Sequence, residues 1–203
     1  MTLRAFSNIS GGAVLVGALA LVLAGCGGAV DESNSSDTTG ATSQELKRCP
    51  PAVPDPSLAV PAGNKVAFEL DAVGVQIYTC QASGAAYSWT LKAPDATLYA
   101  RGRVVGKHYA GPTWEYKDGS KVVGSRLAGF TPDPSAIPWL LLQAASHEGD
   151  GRMSNISYIQ RLETTGGLAP SSGCDADHVG AEARVDYTAA YVFFQPGHSC
   201  GCK

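Results

Sequence analysis

The stretch VDYTAAYVF, residues 185–193, decides the fold. Val185, Tyr187, Ala189, Tyr191 and Phe193 occupy alternate positions, and a period of two puts them on one face of a β-strand. Shorter runs repeat the pattern upstream. Val66, Phe68 and Leu70 alternate with Lys65, Ala67, Glu69 and Asp71. Val75 and Ile77 resume it after Gly74, which reads as a bulge or bend. Tyr87, Trp89 and Leu91 alternate with Ser88, Thr90 and Lys92, ahead of a turn expected at Pro94-Asp95. WEYKDGSKVV, residues 114–123, reads as a hairpin, because Asp118-Gly119 supplies the positive φ of a tight turn.

Trp139, Leu140, Leu141 and Leu142 form an apolar run that suits a strand buried on both faces, and Ile156, Tyr158 and Gln160 alternate with Ser157, Ile159 and Arg161. No segment beyond residue 26 keeps an apolar period of 3.6 for three turns. The 24 glycines and 12 prolines fit strands joined by tight turns. The five prolines of CPPAVPDPSLAVP, residues 49–61, make that stretch extended, wrapping or sheet-edge chain. The expected fold is all-β: a single-domain sandwich or barrel of many short strands with Gly/Pro-rich turns.

The N-terminus reads as an export signal. AVLVGALALVLAGC, residues 13–26, is an apolar run behind one positive charge, Arg4. It is shorter than the ~20 residues of a spanning helix and matches the apolar region of a secretory signal. Leu23-Ala24-Gly25-Cys26 resembles the bacterial lipobox, in which cleavage precedes the cysteine and its thiol takes a diacylglycerol. Residues 1–25 are therefore expected to be a lipoprotein signal peptide, with Cys26 lipidated. Two or three acyl chains, at about 0.8 kcal/mol per buried CH₂, hold a protein firmly at a bilayer. The expected address is the bacterial cell envelope. Gly27, in place of the retaining Asp of such proteins, implies the outer membrane where a cell has two. Residues 26–48 read as a flexible tether, since GGAVDESNSSDTTGATSQ (27–44) has almost no large apolar group to bury. The β-rich domain is expected over 49–203.

The net charge is −3, and lysines and arginines are scattered, so no nucleic-acid footprint is expected. With Cys26 assigned to lipid, Cys49, Cys80, Cys174, Cys200 and Cys202 are disulfide candidates in an oxidising compartment. Five cannot all pair internally, and spacing alone leaves the connectivity open.

VPAGNKVAFELDAVGVQIYTCQ (60–81), WTLKAPDATLY (89–99), VVGKHYAGPTWEYKDGSKVVG (104–124), IPWLLLQAASHEGDG (137–151) and the run from Tyr158 to Phe194 resemble domain-of-unknown-function family 3455. The similar region covers residues 53–194. The resemblance implies a secreted β-rich domain and brings no catalytic residues with it. Cys80 and Cys174 both lie inside the similar region, and a bridge is expected between them. Cys49 is then expected to pair with Cys200 or Cys202, in the flanking extensions.

Several motifs could carry chemistry. GHSCG, residues 197–201, matches the nucleophile elbow G-x-S-x-G but lacks the helix, Asp and His that should follow it. His198, Cys200 and Cys202 have soft-metal character, yet bridging explains the cysteines. Cys174-Asp175-Ala176-Asp177-His178 reads as a solvated turn. Neither a metal nor a cofactor is expected. Glu69, Asp71, Glu115 and Glu148 could supply the carboxylate pair of a glycosidase, but their spacing brings no two together.

The most suggestive stretch is His108-Tyr109-Ala110-Gly111-Pro112-Thr113-Trp114-Glu115, with aromatics, an imidazole and a carboxylate around a Gly-Pro turn. His108, Tyr109, Trp114 and Glu115, with His147 as companion, are the candidate ligand-binding residues. Trp114 is expected to be partly buried and His108 accessible. The expected function is a non-catalytic module that binds a glycan or small molecule, with the membrane as partner through the lipid. The alternatives are a carbohydrate-active hydrolase and a structural envelope component.

Overall fold

The computed structural model describes residues 49–198. The signal, Cys26, the tether, and Ser199, Cys200 and Cys202 lie outside the described residues. Eight strands follow in order: β1 (Asn64–Ser83), β2 (Ala86–Ala100), β3 (Arg103–Tyr109), β4 (Thr113–Tyr116), β5 (Lys121–Phe130), β6 (Trp139–Glu148), β7 (Tyr158–Gly166) and β8 (Glu182–Pro196). Each pairs antiparallel with the next, and β8 pairs with β1 to close a barrel. The all-β reading holds, and of sandwich and barrel the chain adopts the barrel. Closure leaves no free outer strand in the sheet order.

The alternation in β8 becomes the lining of the barrel. Tyr187, Ala189, Tyr191 and Phe193 point inward, opposite Gly74, Ala72, Leu70 and Phe68 of β1. Leu98, Trp114, Val122, Leu142 and Ile159 bring the other strands into the same core. Met153 and Ile156, from the β6–β7 connection, are buried in it and plug one end. Met153 N–H donates to Ser120 Oγ at 3.0 Å, which ties the plug to the β4–β5 turn.

A second apolar cluster lies on the outer wall. Val66, Leu162, Val192 and Phe194 are buried there beneath Val53 and Val60 of the proline-rich segment. That segment wraps the barrel as expected, with one 3₁₀ turn at Pro56–Leu58. Gln160 Nε2 donates to Leu58 O at 2.7 Å to hold the strap in place. Elsewhere the outer wall is charged: Lys107 pairs with Glu115, Lys92 with Glu182, and Arg184 with Asp95. A barrel that spans a bilayer has the reverse arrangement, with an apolar band facing out. No helix among the described residues is long and apolar enough to cross a membrane.

Four local expectations need correction. The strands are not uniformly short: β1 has 20 residues, and β2 and β8 have 15 each. Register shifts between Val66 and Phe68 and between Ile77 and Tyr78 let β1 follow the barrel's curve. Gly74 is therefore not the bulge; it pairs in register with Ala96, and an added Cβ would sit 2.2 Å from Asp95 O. Its role is close approach of two backbones. Pro94-Asp95 makes no turn but lies inside β2, where β2 pairs with β1 and not with β3. A strand with one free side tolerates proline. The turn falls at Arg101-Gly102, both with positive φ. Finally, β7 starts at Tyr158, so Ile156 belongs to the plug; Ile159 faces the core while Gln160 faces the strap.

Candidate functional site

The two shortest strands create the site. β3 has seven residues and β4 has four. β2 pairs with β3 only from Ala96 to Ala100, and β5 with β4 only over Lys121–Val123. Gly124 N–H then donates to Pro112 O at 3.0 Å. Past that point the wall between β2 and β5 is missing, and a window opens above the turn Ala110–Pro112. Behind it lies a cavity of about 180 Å³. The adjacent end of the barrel is covered, since Tyr78 hydroxyl donates to Gly167 O at 2.6 Å and Thr164 hydroxyl to Ile137 O at 2.5 Å. The cavity is reached through the side.

Leu91 and Pro94 of β2, Pro112 of the turn, and Leu140 and Leu142 of β6 form apolar walls. The inner surface is a cluster of rings. His108 stacks on Trp114 with centroids 4.3 Å apart and planes 12° from parallel, and Tyr191 meets both rings edge-on at 5.1 and 5.2 Å. Gln76, Arg126 and Arg161 complete the lining. Gln76 Nε2, Trp114 Nε1 and the Tyr191 hydroxyl are all buried with no hydrogen-bond partner among the described residues. Such groups each cost about 1–3 kcal/mol when unpaired. Tyr187 hydroxyl, deeper in the barrel, is a fourth.

Electrostatics keep the rings neutral. His108 Nδ1 lies 2.9 Å from Thr113 O, and because a carbonyl only accepts, Nδ1 carries the proton. Burial, opposed by that hydrogen bond and reinforced by the nearby Arg161 charge, pushes the His108 pKa down to about 3. Burial pushes the Tyr191 hydroxyl up, with Arg161 pulling it partly back. The sign for His108 follows from linkage. Below pH 6.5 the unfolded imidazole takes a proton that the folded one refuses until about pH 3, so acid weakens the fold. The loss is about 1.4 kcal/mol per pH unit within that window. Denaturant unfolding of wild type and His108→Gln between pH 7 and pH 4 checks this. The wild type is expected to lose stability faster than the variant as pH falls; parallel curves contradict it.

The five residues singled out from sequence do not meet. His108 and Trp114 face inward together, but both are fully buried (3% and 1% exposed), which corrects the expectations of an accessible His108 and a half-buried Trp114. Tyr109 and Glu115 face outward. Tyr109 hydroxyl donates to Glu115 Oε2 at 2.8 Å, and Lys107 Nζ lies 3.4 Å from the same oxygen. The period of two splits the hairpin between the barrel's two faces. His147 Nε2 lies 2.7 Å from Ile156 O, at the plugged end of the barrel and away from the window. Glu69 and Asp71 also point outward, and Glu148 pairs with Lys121 on the surface, so no carboxylate lines the cavity. The Asp175–His178 segment is an exposed turn closed by a 2.6 Å contact between Asp175 Oδ1 and His178 Nδ1.

Gln76, Arg126, Arg161 and Tyr191 were not candidates on sequence grounds. Arg161 offered the strongest signal, a charge on the same strand face as Ile159, but only strand pairing places that face inside. The Cys80–Cys174 disulfide is present as expected, and Cys49 is also disulfide-bonded.

A family model described as "Protein of unknown function (DUF3455)" matches residues 61–195. The chain belongs to that family. The DUF3455 match runs from just before β1 to the end of β8, so it takes in the barrel, the window and the cavity. The strap over residues 49–60 lies outside it. No curated protein and no solved structure matches the chain.

Proposed function

We propose that this protein is a lipid-anchored component of the bacterial envelope whose barrel binds a small ligand without catalysis. The observation that carries the binding reading is the set of buried, unpartnered polar atoms on an otherwise apolar cavity: Gln76 Nε2, Trp114 Nε1 and the Tyr191 hydroxyl. Ligand sites have this composition, apolar walls with a few convergent polar groups. A cavity of about 180 Å³ suits one ring or a short chain; an engineered apolar cavity of roughly 150 Å³ accommodates benzene. It is too small for an oligosaccharide, so the ligand is a small molecule rather than a glycan chain. Calorimetric titration with phenol, 2-phenylethanol, phenylacetate and hexanoate tests the reading. At least one is expected to bind the wild type, and Leu142→Trp, which fills the cavity, to abolish that binding. Binding that survives Leu142→Trp places the ligand elsewhere.

The anchor rests on Leu23-Ala24-Gly25-Cys26. Cys26→Ser is expected to remove palmitate labelling and to leave a precursor or a soluble product. A variant that is processed normally and stays membrane-bound sinks the anchor.

A further inference from the structure

The cavity's charge is unbalanced. Arg161 and Arg126 both line it, no acidic residue does, and neither arginine has a carboxylate partner among the described residues. Asp95, whose charge reaches Tyr187, is already paired with Arg184 on the outer wall. Arg161 is half-buried, and its Nε and Nη2 both donate to Pro138 O, at 3.0 and 2.8 Å. That carbonyl fixes the guanidinium, which also lies against the Tyr191 hydroxyl. Its charge acts on Tyr78, His108, Tyr187 and Tyr191, which places it at the heart of the ring cluster.

Arg126 stands at the mouth. Its guanidinium lies over Gly129, where an added Cβ would come within 2.5 Å of Nη2 and 3.0 Å of Leu140 Cδ2. A residue with any side chain at position 129 would displace it. A guanidinium is suited to grip a carboxylate through two parallel N–H groups.

We propose that the cavity takes a small anionic amphiphile, a monocyclic aromatic or short-chain carboxylate, whose apolar part sits on the Trp114–Tyr191 cluster and whose carboxylate is held by Arg161 and Arg126. This rests on the binding reading above and adds the ligand's charge. The buried donors on Gln76, Trp114 and Tyr191 point the same way, since an acceptor-rich head satisfies donors that an apolar ligand leaves unpaired.

The test compares acids with neutral isosteres of the same size: phenylacetate against 2-phenylethanol and hexanoate against hexanol, by calorimetry on the wild-type domain. Hydrogen bonds to charged groups contribute about 1.5–3 kcal/mol, so each acid is expected to bind roughly 10- to 100-fold tighter than its alcohol. Arg161→Gln should erase most of that ratio, weakening the acid far more than the alcohol. Arg126→Gln, at an exposed position, should reduce the ratio and keeps the test open if Arg161→Gln fails to fold. Alcohols that bind as tightly as their acids overturn the charge assignment and leave a neutral-ligand cavity. Binding of neither class overturns the binding reading itself.

Discussion

Trp114→Ala is expected to lower the unfolding free energy by about 3–5 kcal/mol, the range for a large aromatic removed from a packed core. For a domain of this size that is a fall of roughly 10 °C in melting temperature. The ring is 1% exposed. It stacks on His108, meets Tyr191 and Phe193 edge-on at 5.2 and 6.2 Å, and presses against Gly124, where even a Cβ would come within 2.9 Å of its ring. Rings from β3 and β8 and the close backbone of β5 at Gly124 hold their places around it, so the hole collapses little. Thermal melts of wild type and variant decide the matter. A fall of only one or two degrees would mean that Trp114 is a ligand contact rather than a structural one.

Removing the Cys80–Cys174 bridge should weaken the fold comparably, through the opposite state. The two residues are 94 apart in sequence, and releasing a closed loop of that length costs about 4–5 kcal/mol in the chain-entropy account. In the folded protein the local contacts survive, because Cys80 N–H donates to Ala181 O and Gly180 N–H to Cys80 O, both at 2.9 Å. The double variant Cys80→Ala, Cys174→Ala avoids placing a hydroxyl at the buried position of Cys80, which is 1% exposed. Urea unfolding should show a lower midpoint together with a steeper m-value, since the unbridged denatured chain exposes more surface. Trp114→Ala, which acts on the folded core, should leave m unchanged. A double variant as stable as the wild type would show that the bridge does not restrain the unfolded chain.

The class of the fold was legible because its cause is local. An inward face of Tyr187, Ala189, Tyr191 and Phe193 needs only period two to be seen, and the Asp118-Gly119 turn needs only its own chemistry. Closure was not legible. It depends on β1 and β8 pairing across more than a hundred residues, and nothing in either strand marks its partner. The same gap hid the site. His108 and Trp114 could be suspected as neighbours across a turn, but Arg161 joins them from β7, and only the circular order of strands brings it there. Pro94 misled for a related reason. A proline inside a paired strand argues for a turn until the missing β3 beside it is known.

In the proposed binding role, the short β3–β4 hairpin sets how fast a ligand can come and go. A barrel entered at its rim exchanges its contents when end loops lift, and the rate follows loop motion. Here the end is tied by Tyr78 and Thr164 to opposite loops, and the threshold is a sill made by Pro112 between two jambs, Leu91 and Pro94 on one side and Arg126 on the other. For the proposed ligand, the expected control on residence time is the set of side chains at those jambs. Lengthening the hairpin by one pair of residues on each strand would raise the sill and slow exchange while leaving every core contact in place.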